Sequence, residues 1–218
     1  MWSNSDPVAQ TEPRTFIEQA RRAQIVGVAI DTIAEVGYAQ ASLARIAERA
    51  GISKGVIAYH FAGKEDLIRE VAAEVLSRAE QFMRPRISAR SGGPAVLREY
   101  VESNLAFMAA YRNHMVAIVE IARGARRPDG TPGFDRSSLD AGAAGLAQLL
   151  AKFQAAGELR SDFDPQVMAM AIRAAIDAVP PRLAADPSLD VEHHGRELAN
   201  LFDLATRNDE KPRRKSRR

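Results

Sequence analysis

The chain reads as all-α: an N-terminal three-helix unit of helix-turn-helix type, followed by a C-terminal helical bundle, with about nine helices in total. Three observations lead there. Apolar residues recur at i, i+3, i+4 and i+7 in one segment after another. No segment sustains the period-two alternation of β-branched residues that a half-buried strand needs. Gly, Pro and Ser clusters separate the periodic segments at distances suited to helices of two to six turns.

The elements follow in order. Residues 1–13 are polar and carry Pro7 and Pro13, so a flexible arm is expected there. From Arg14, the positions Ile25, Val28, Ala29, Thr32, Ile33 and Val36 trace one buried helical face, and Gly37 supplies its stop. Ser42 is placed to cap a short helix that buries Leu43, Ile46, Ala47 and Ala50, and Gly51 ends it. Ser53 caps a third helix running to about His60, with a break at Gly63. Glu65 and Asp66 open a longer helix, where carboxylates suit the positive dipole end. It runs through Leu67, Val71 and Val75 to about Phe82, where Pro85 is expected to disturb it. Further helices are expected near 94–111, 114–125, 136–157, 165–179 and 191–206. Their breaks fall at Asn113, Pro128 to Gly133, Gly157 to Pro165, and Pro180 to Pro187.

Composition narrows the function classes. Hydrophobic residues at 46 % and charged residues at 27 % are enough for a packed core. With no cysteine, disulfides, thiolate metal sites and a thiol nucleophile are all excluded, which suits a reducing cytoplasm. No apolar run reaches the roughly 20 residues of a membrane helix, and Met1 to Thr11 lacks a basic-then-apolar signal pattern. A cytoplasmic chain is therefore expected. Net charge is only +2, but residues 13–64 carry seven Lys/Arg against four Asp/Glu, and 207–218 carry seven against two. Positive ends on a mildly acidic middle suit a head that meets nucleic acid.

The informative stretch is Ser42 to Leu67, SLARIAERAGISKGVIAYHFAGKEDL. Ala47 is small enough for a second helix to cross above it, Gly51 permits the tight turn, Ile52 plugs the corner, and Ile57 anchors the second helix. At about 100° per residue, Ile57 and Phe61 point together toward the core. Gly55, Ala58 and Tyr59 point away, flanked by Lys54 and Val56. A solvated helix face favours Glu, Lys or Gln. An outward Gly, Ala and Tyr suit a helix pressed into a major groove, with Tyr59 reaching a phosphate or base edge and Val56 a thymine methyl.

This stretch resembles the DNA-binding domain of the TetR family of transcriptional regulators. The residues that carry the resemblance are Gly51, Ser53-Lys54-Gly55, Tyr59-His60-Phe61 and Lys64-Glu65-Asp66-Leu67. It covers roughly residues 14–70; the remainder matches the family in architecture. The resemblance implies a homodimeric repressor, released from a palindromic operator on double-stranded DNA by a small-molecule effector. It places Ser53, Lys54, Gly55, Val56, Tyr59 and His60 on or beside the DNA, with Lys64 on a phosphate and Ser42 or Arg45 on the backbone. Ala58 stands where many members carry an aromatic. An activator or DNA-organising protein of the same fold, working without an effector, is the alternative.

The expected organisation is an arm over 1–13, a helix-turn-helix domain over 14–62, an effector-binding and dimerisation body over 63–206, and a basic tail over 207–218. Small and apolar residues at helical spacing, Val167, Ala171, Ala174 and Ala178, permit close helix approach. With Leu198, Leu201 and Phe202 on the last helix they form the candidate dimer interface. Candidate effector-pocket residues are Tyr100, Asn104, Phe107 and Met108, together with Tyr111, Met115, Phe153 and Arg173. His193-His194 lacks the i, i+4 spacing of a helical metal site, so no metal and no cofactor are expected. An enzyme is not expected either: no phosphate loop, Gly-x-Gly-x-x-Gly or Gly-x-Ser-x-Gly occurs, so no catalytic residue is assigned.

Overall fold

Thr15 starts the first helix. Its hydroxyl accepts from the Glu18 N–H at 3.3 Å, while the Glu18 carboxylate accepts from the Thr15 N–H at 2.9 Å. This reciprocal pair satisfies donors that a helix start leaves free. A computed structural model of the chain describes residues 15–124 and 137–208. Within them run α1 (Phe16–Gln40), α2 (Leu43–Arg49), α3 (Lys54–His60), α4 (Lys64–Ser88) and α5 (Gly93–Ala110). They are followed by α6 (Arg112–Gly124), α7 (Ser137–Ala155), α8 (Pro165–Asp177), α9 (Val179–Ala185) and α10 (Val191–Thr206). The only β pairing among the described residues is one isolated bridge, Leu159 to Arg207. The fold is all-α, with the helix-turn-helix at its N-terminal end. The expected arm, the Pro128 to Gly133 break and most of the basic tail lie outside the described residues.

Several boundaries differ from the expectation, each for a local reason. The segment from Pro180 to Pro187 is not simply a break, because α9 occupies Val179–Ala185. Pro180 and Pro181 sit in its first turn, where no intrahelical N–H bond is required of them. Pro85 does not end α4, which continues to Ser88. It falls in the last turn, next to Arg86, whose guanidinium donates to the Phe82 carbonyl at 2.6 Å and lies 3.6 Å above the Phe82 ring. The α5–α6 break falls at Tyr111 rather than Asn113.

Two apolar cores organise the helices. The first gathers Ile25, Ala29 and Ile33 of α1, Ile46 of α2, Ile57 of α3, Phe61, and Leu67 and Val71 of α4. Ala117 and Ile121 of α6 complete it, so α6 physically joins the N-terminal unit to the bundle. The second core is the bundle itself, where α10 packs along α5 and includes Val101, Leu105, Leu150, Ile172, Ala199 and Phe202. Burying one such large aliphatic side chain contributes about 1.5–3 kcal/mol. Among the described residues no helix is long and apolar enough to cross a membrane.

Candidate nucleic-acid interface

The helix-turn-helix is built as its residue types dictate. The Ser42 hydroxyl accepts from the Arg45 N–H at 3.2 Å, and the Ser53 hydroxyl accepts from the Val56 N–H at 3.4 Å. Between these caps the chain reverses at Gly51, whose φ of 66° lies in the left-handed region that side chains resist. Gly51 N–H donates to Glu48 O at 3.1 Å and Ile52 N–H to Ala47 O at 3.0 Å, a Schellman closure of α2. Ile52 then packs against the N-terminal core.

From behind, α3 is held by Ile57 and the adjoining Phe61, both fully buried. Arg22 of α1 reinforces this contact: it is buried, donates to the His60 carbonyl, pairs with Glu70 at 2.8 Å and lies 4.3 Å above the Phe61 ring. The opposite face of α3 is open. Lys54, Gly55 and Ala58 are exposed, Val56 and His60 are partly so, and Tyr59 is 72 % exposed. Ser42, Arg45 and Ser53 are exposed on the same motif. Among the described residues neither Lys54 nor Arg45 forms an ion pair.

Tyr59 and Lys64 both have partners within the chain. The Tyr59 hydroxyl donates to Glu18 Oε1 at 2.9 Å, and its ring meets His60 edge-on at 5.0 Å. The Thr15 N–H and the Tyr59 hydroxyl hold the Glu18 carboxyl below its ordinary range, and the Glu18 carboxylate raises the Tyr59 phenol. Lys64 Nζ donates to the Tyr38 carbonyl at 2.6 Å and lies 4.0 Å above the Tyr38 ring. Burial lowers the Lys64 ammonium below its ordinary value. Tyr38 in turn leans on the end of α6: a Cβ placed on Gly124 would lie 2.6 Å from the Tyr38 ring.

Sequence reasoning missed Glu18, Arg22 and Tyr38 as parts of this site. Glu18 had a readable signal, since Thr15-x-x-Glu18 is a capping-box spacing. Arg22 and Tyr38 had none, because their partners are far away in sequence.

The candidate body residues separate into groups. Tyr100, Asn104, Phe107, Met108 and Tyr111 form one stripe along α5. At one end Arg173 reaches the Tyr100 hydroxyl at 3.2 Å and Asn104 Oδ1 at 3.3 Å, and pairs with Asp177. Arg173 Nε is buried and finds no acceptor among the described residues. At the other end Phe107 and Tyr111 stack at 4.8 Å, with Phe82 beside them. Met115 is buried in the same core, and Phe153 lies against Gly93. These residues pack on one another, and the clefts described lie elsewhere. One of about 650 Å³ runs between α1 and α4, lined by Gln19, Arg22, Glu70 and Glu74; a smaller one lies between α1 and α2.

On α8, Val167, Ala171, Ala174 and Ala178 are all exposed, joined by Met170. On α10 the expectation needs correcting. Phe202 is buried within the chain's own core and Leu198 packs partly against it, because that face of α10 lies on α5. Leu201 is exposed as expected, and Leu204 rather than Leu198 or Phe202 joins it on the exposed apolar face.

The architecture is that of a helix-turn-helix protein whose second motif helix stands clear of its own core, mounted on a helical bundle. Residues 25–71 match the family profile of bacterial regulatory proteins, tetR family. It is 39 % identical over 64 residues to the HTH-type transcriptional regulator BetI 1 of Chromohalobacter salexigens, covering 29 % of this chain and 32 % of that one. It is 32 % identical over 93 residues to BetI of Stenotrophomonas maltophilia, covering 42 % and 47 %. The chain thus spans less than half the length of these curated relatives. Among solved structures it resembles the fatty acid degradation regulator FadR from Bacillus halodurans, with a TM-score of 0.71 at 22 % identity over 83 % of this chain and 97 % of that one. FadR from Bacillus subtilis, solved in complex with stearoyl-CoA, gives 0.69 at 21 % over 83 % and 96 %. These structural likenesses concern the fold.

Proposed function

We propose that the chain is a cytoplasmic, sequence-specific DNA-binding transcriptional regulator that acts as a homodimeric repressor on a pseudo-palindromic operator and is released by a small-molecule effector. The observation that carries this reading is the open face of α3. Lys54, Gly55, Ala58 and Tyr59 face away from a helix that Ile57 and Phe61 fix from behind. Small residues there let a backbone approach the groove floor, and Val56 suits a thymine methyl. Lys54, His60 and Lys64 suit phosphates, and Ser42 and Arg45 the flanking backbone.

Dimerisation is supported by the apolar stripe of α8 and its neighbour on α10. Val167, Met170, Leu201 and Leu204 are 64, 65, 56 and 61 % exposed, unusual for large apolar side chains unless another surface covers them. Two copies meeting there set two recognition helices for successive major grooves, about 34–36 Å apart. An effector site is supported by the α5 stripe with Arg173, whose buried Nε–H lacks an acceptor among the described residues; Phe107, Met108, Tyr111, Met115 and Phe153, packed on one another in the free chain, must part for an effector to enter. The similar Bacillus subtilis regulator was solved with stearoyl-CoA. The route between the two sites is α6, which shares Ala117 and Ile121 with the N-terminal core and ends against Tyr38, the residue that holds Lys64.

The test is selection of bound duplexes from a random library, with wild type beside a Tyr59→Ala, Lys64→Ala double variant. Enrichment of one inverted repeat by wild type alone is expected. No enrichment by either protein removes the proposal.

A further inference from the structure

Glu18 stands at the first turn of α1, yet it holds a side chain of α3. Both its carboxylate oxygens are engaged: Oε2 accepts from the Thr15 N–H at 2.9 Å and the Thr15 hydroxyl at 3.2 Å, and Oε1 accepts from the Tyr59 hydroxyl at 2.9 Å. A phenol has one proton to donate. A phosphate oxygen only accepts, so Tyr59 cannot give its proton to a DNA phosphate while Glu18 keeps it. The carboxylate also brings a negative charge to the exposed face that is to meet a polyanion.

We propose that Glu18 is a positioning residue that restrains DNA binding: its carboxylate latches the Tyr59 hydroxyl in the free protein, and a phosphate of the bound duplex must displace it. This rests on the reading of α3 as the recognition helix, and adds a regulatory contact within that site. Glu18 remains ionised across the working pH range, because the Thr15 N–H and the Tyr59 hydroxyl both favour its charged form. The latch is therefore closed by default. The bond is charge-assisted, hence roughly twice as strong as a neutral one, but Tyr59 is exposed and Glu18 is only half-buried. That sets a restraint that a phosphate can overcome, rather than a lock.

The alternative reading is that Glu18 serves α1 alone, as the partner of Thr15 in the capping box. The two readings differ in sign. Loss of a cap loosens α1 and weakens DNA binding; loss of a latch strengthens it.

The experiment is a double-mutant cycle on the full chain, titrating the duplex that wild type enriches from the random library with wild type, Glu18→Ala, Tyr59→Phe and the double variant. Glu18→Gln is included because it keeps an acceptor and the capping geometry without the charge. Thermal melting runs alongside. Glu18→Ala is expected to bind about three- to tenfold tighter despite a lower melting temperature, with Glu18→Gln in between. In the Tyr59→Phe background the gain from Glu18→Ala shrinks by about threefold or more, since only the charge term remains. Weaker binding by both Glu18 variants, or the same gain in both backgrounds, overturns the latch and leaves the DNA-binding reading standing. If wild type enriches no duplex, the DNA-binding reading fails and the latch falls with it.

Discussion

The Lys64 ammonium sits 4.0 Å above the Tyr38 ring and donates to the carbonyl oxygen of the same residue at 2.6 Å. This ties the first residue of α4 to the end of α1, one residue beyond the break at Gly37, whose φ is 78°. The same ring fills the space beside Gly124, the last residue of α6. Three helices, two from the DNA-binding end and one rooted in the bundle, therefore meet on one tyrosine.

Gly124 is the point at which that junction can be tested. A methyl group there would lie 2.6 Å from Tyr38 Cδ1 and 3.1 Å from its Cβ, so the ring must move, and Lys64 with it. Gly124→Ala is expected to destabilise the fold by about 1–3 kcal/mol and to weaken operator binding beyond what the lost stability explains. In a Tyr38→Ala background the same substitution should do little to either. Titration of the enriched duplex with the four proteins of this cycle, alongside their melting temperatures, checks both statements.

The dimer interface is tested on the exposed apolar stripe. Val167→Glu and Leu201→Glu place a carboxylate where an apolar surface is to be covered, and neither position contributes to the buried core of its own protomer. Each variant is expected to sediment as a folded monomer at concentrations where wild type is a dimer, and to lose most of its operator affinity. Retention of the dimer by both would move the interface elsewhere.

His114 gives the body a pH signature. Burial, and then the nearby Arg78 guanidinium, hold it below the ordinary histidine value. A depressed folded pKa means that the neutral imidazole favours the fold. Its contribution is complete above the unfolded value of about 6.5 and is lost as pH falls through the lower folded value. Melting temperature is expected to drop between about pH 7.5 and about pH 5.5, and the His114→Gln variant to show a smaller drop over that window.

The anchor of α3 predicts a stability phenotype. Ile57 is fully buried between α1, α2 and α4. Ile57→Ala is expected to cost about 2–5 kcal/mol, measured by urea denaturation. Any loss of DNA binding should then follow the unfolded fraction.

Much of the helix-turn-helix is legible in the sequence. Ser42, Gly51, Ser53, Ile57 and Phe61 act through neighbours within a few residues, and local spacing reports local caps, turns and faces. The open face of α3 followed from the same geometry. What could not be read were contacts that depend on tertiary approach: Glu18 with Tyr59, Lys64 with Tyr38, Arg22 with His60. On α10, helical periodicity placed Leu198, Leu201 and Phe202 together, but it cannot say which side of an amphipathic helix lies on α5. That choice placed Phe202 inside the protomer and Leu201 outside. Pro180 and Pro181 misled for a related reason, since prolines that stop one helix can also begin the next.

The most direct test of the central claim is an equilibrium titration comparing two duplexes, the library-enriched repeat and a scrambled sequence of the same length, at one fixed salt concentration. Wild type is expected to prefer the enriched duplex by about a thousandfold or more, bound by two protomers, and Tyr59→Ala with Lys64→Ala to lose most of that preference. Equal affinity of wild type for both duplexes would contradict sequence-specific recognition by α3.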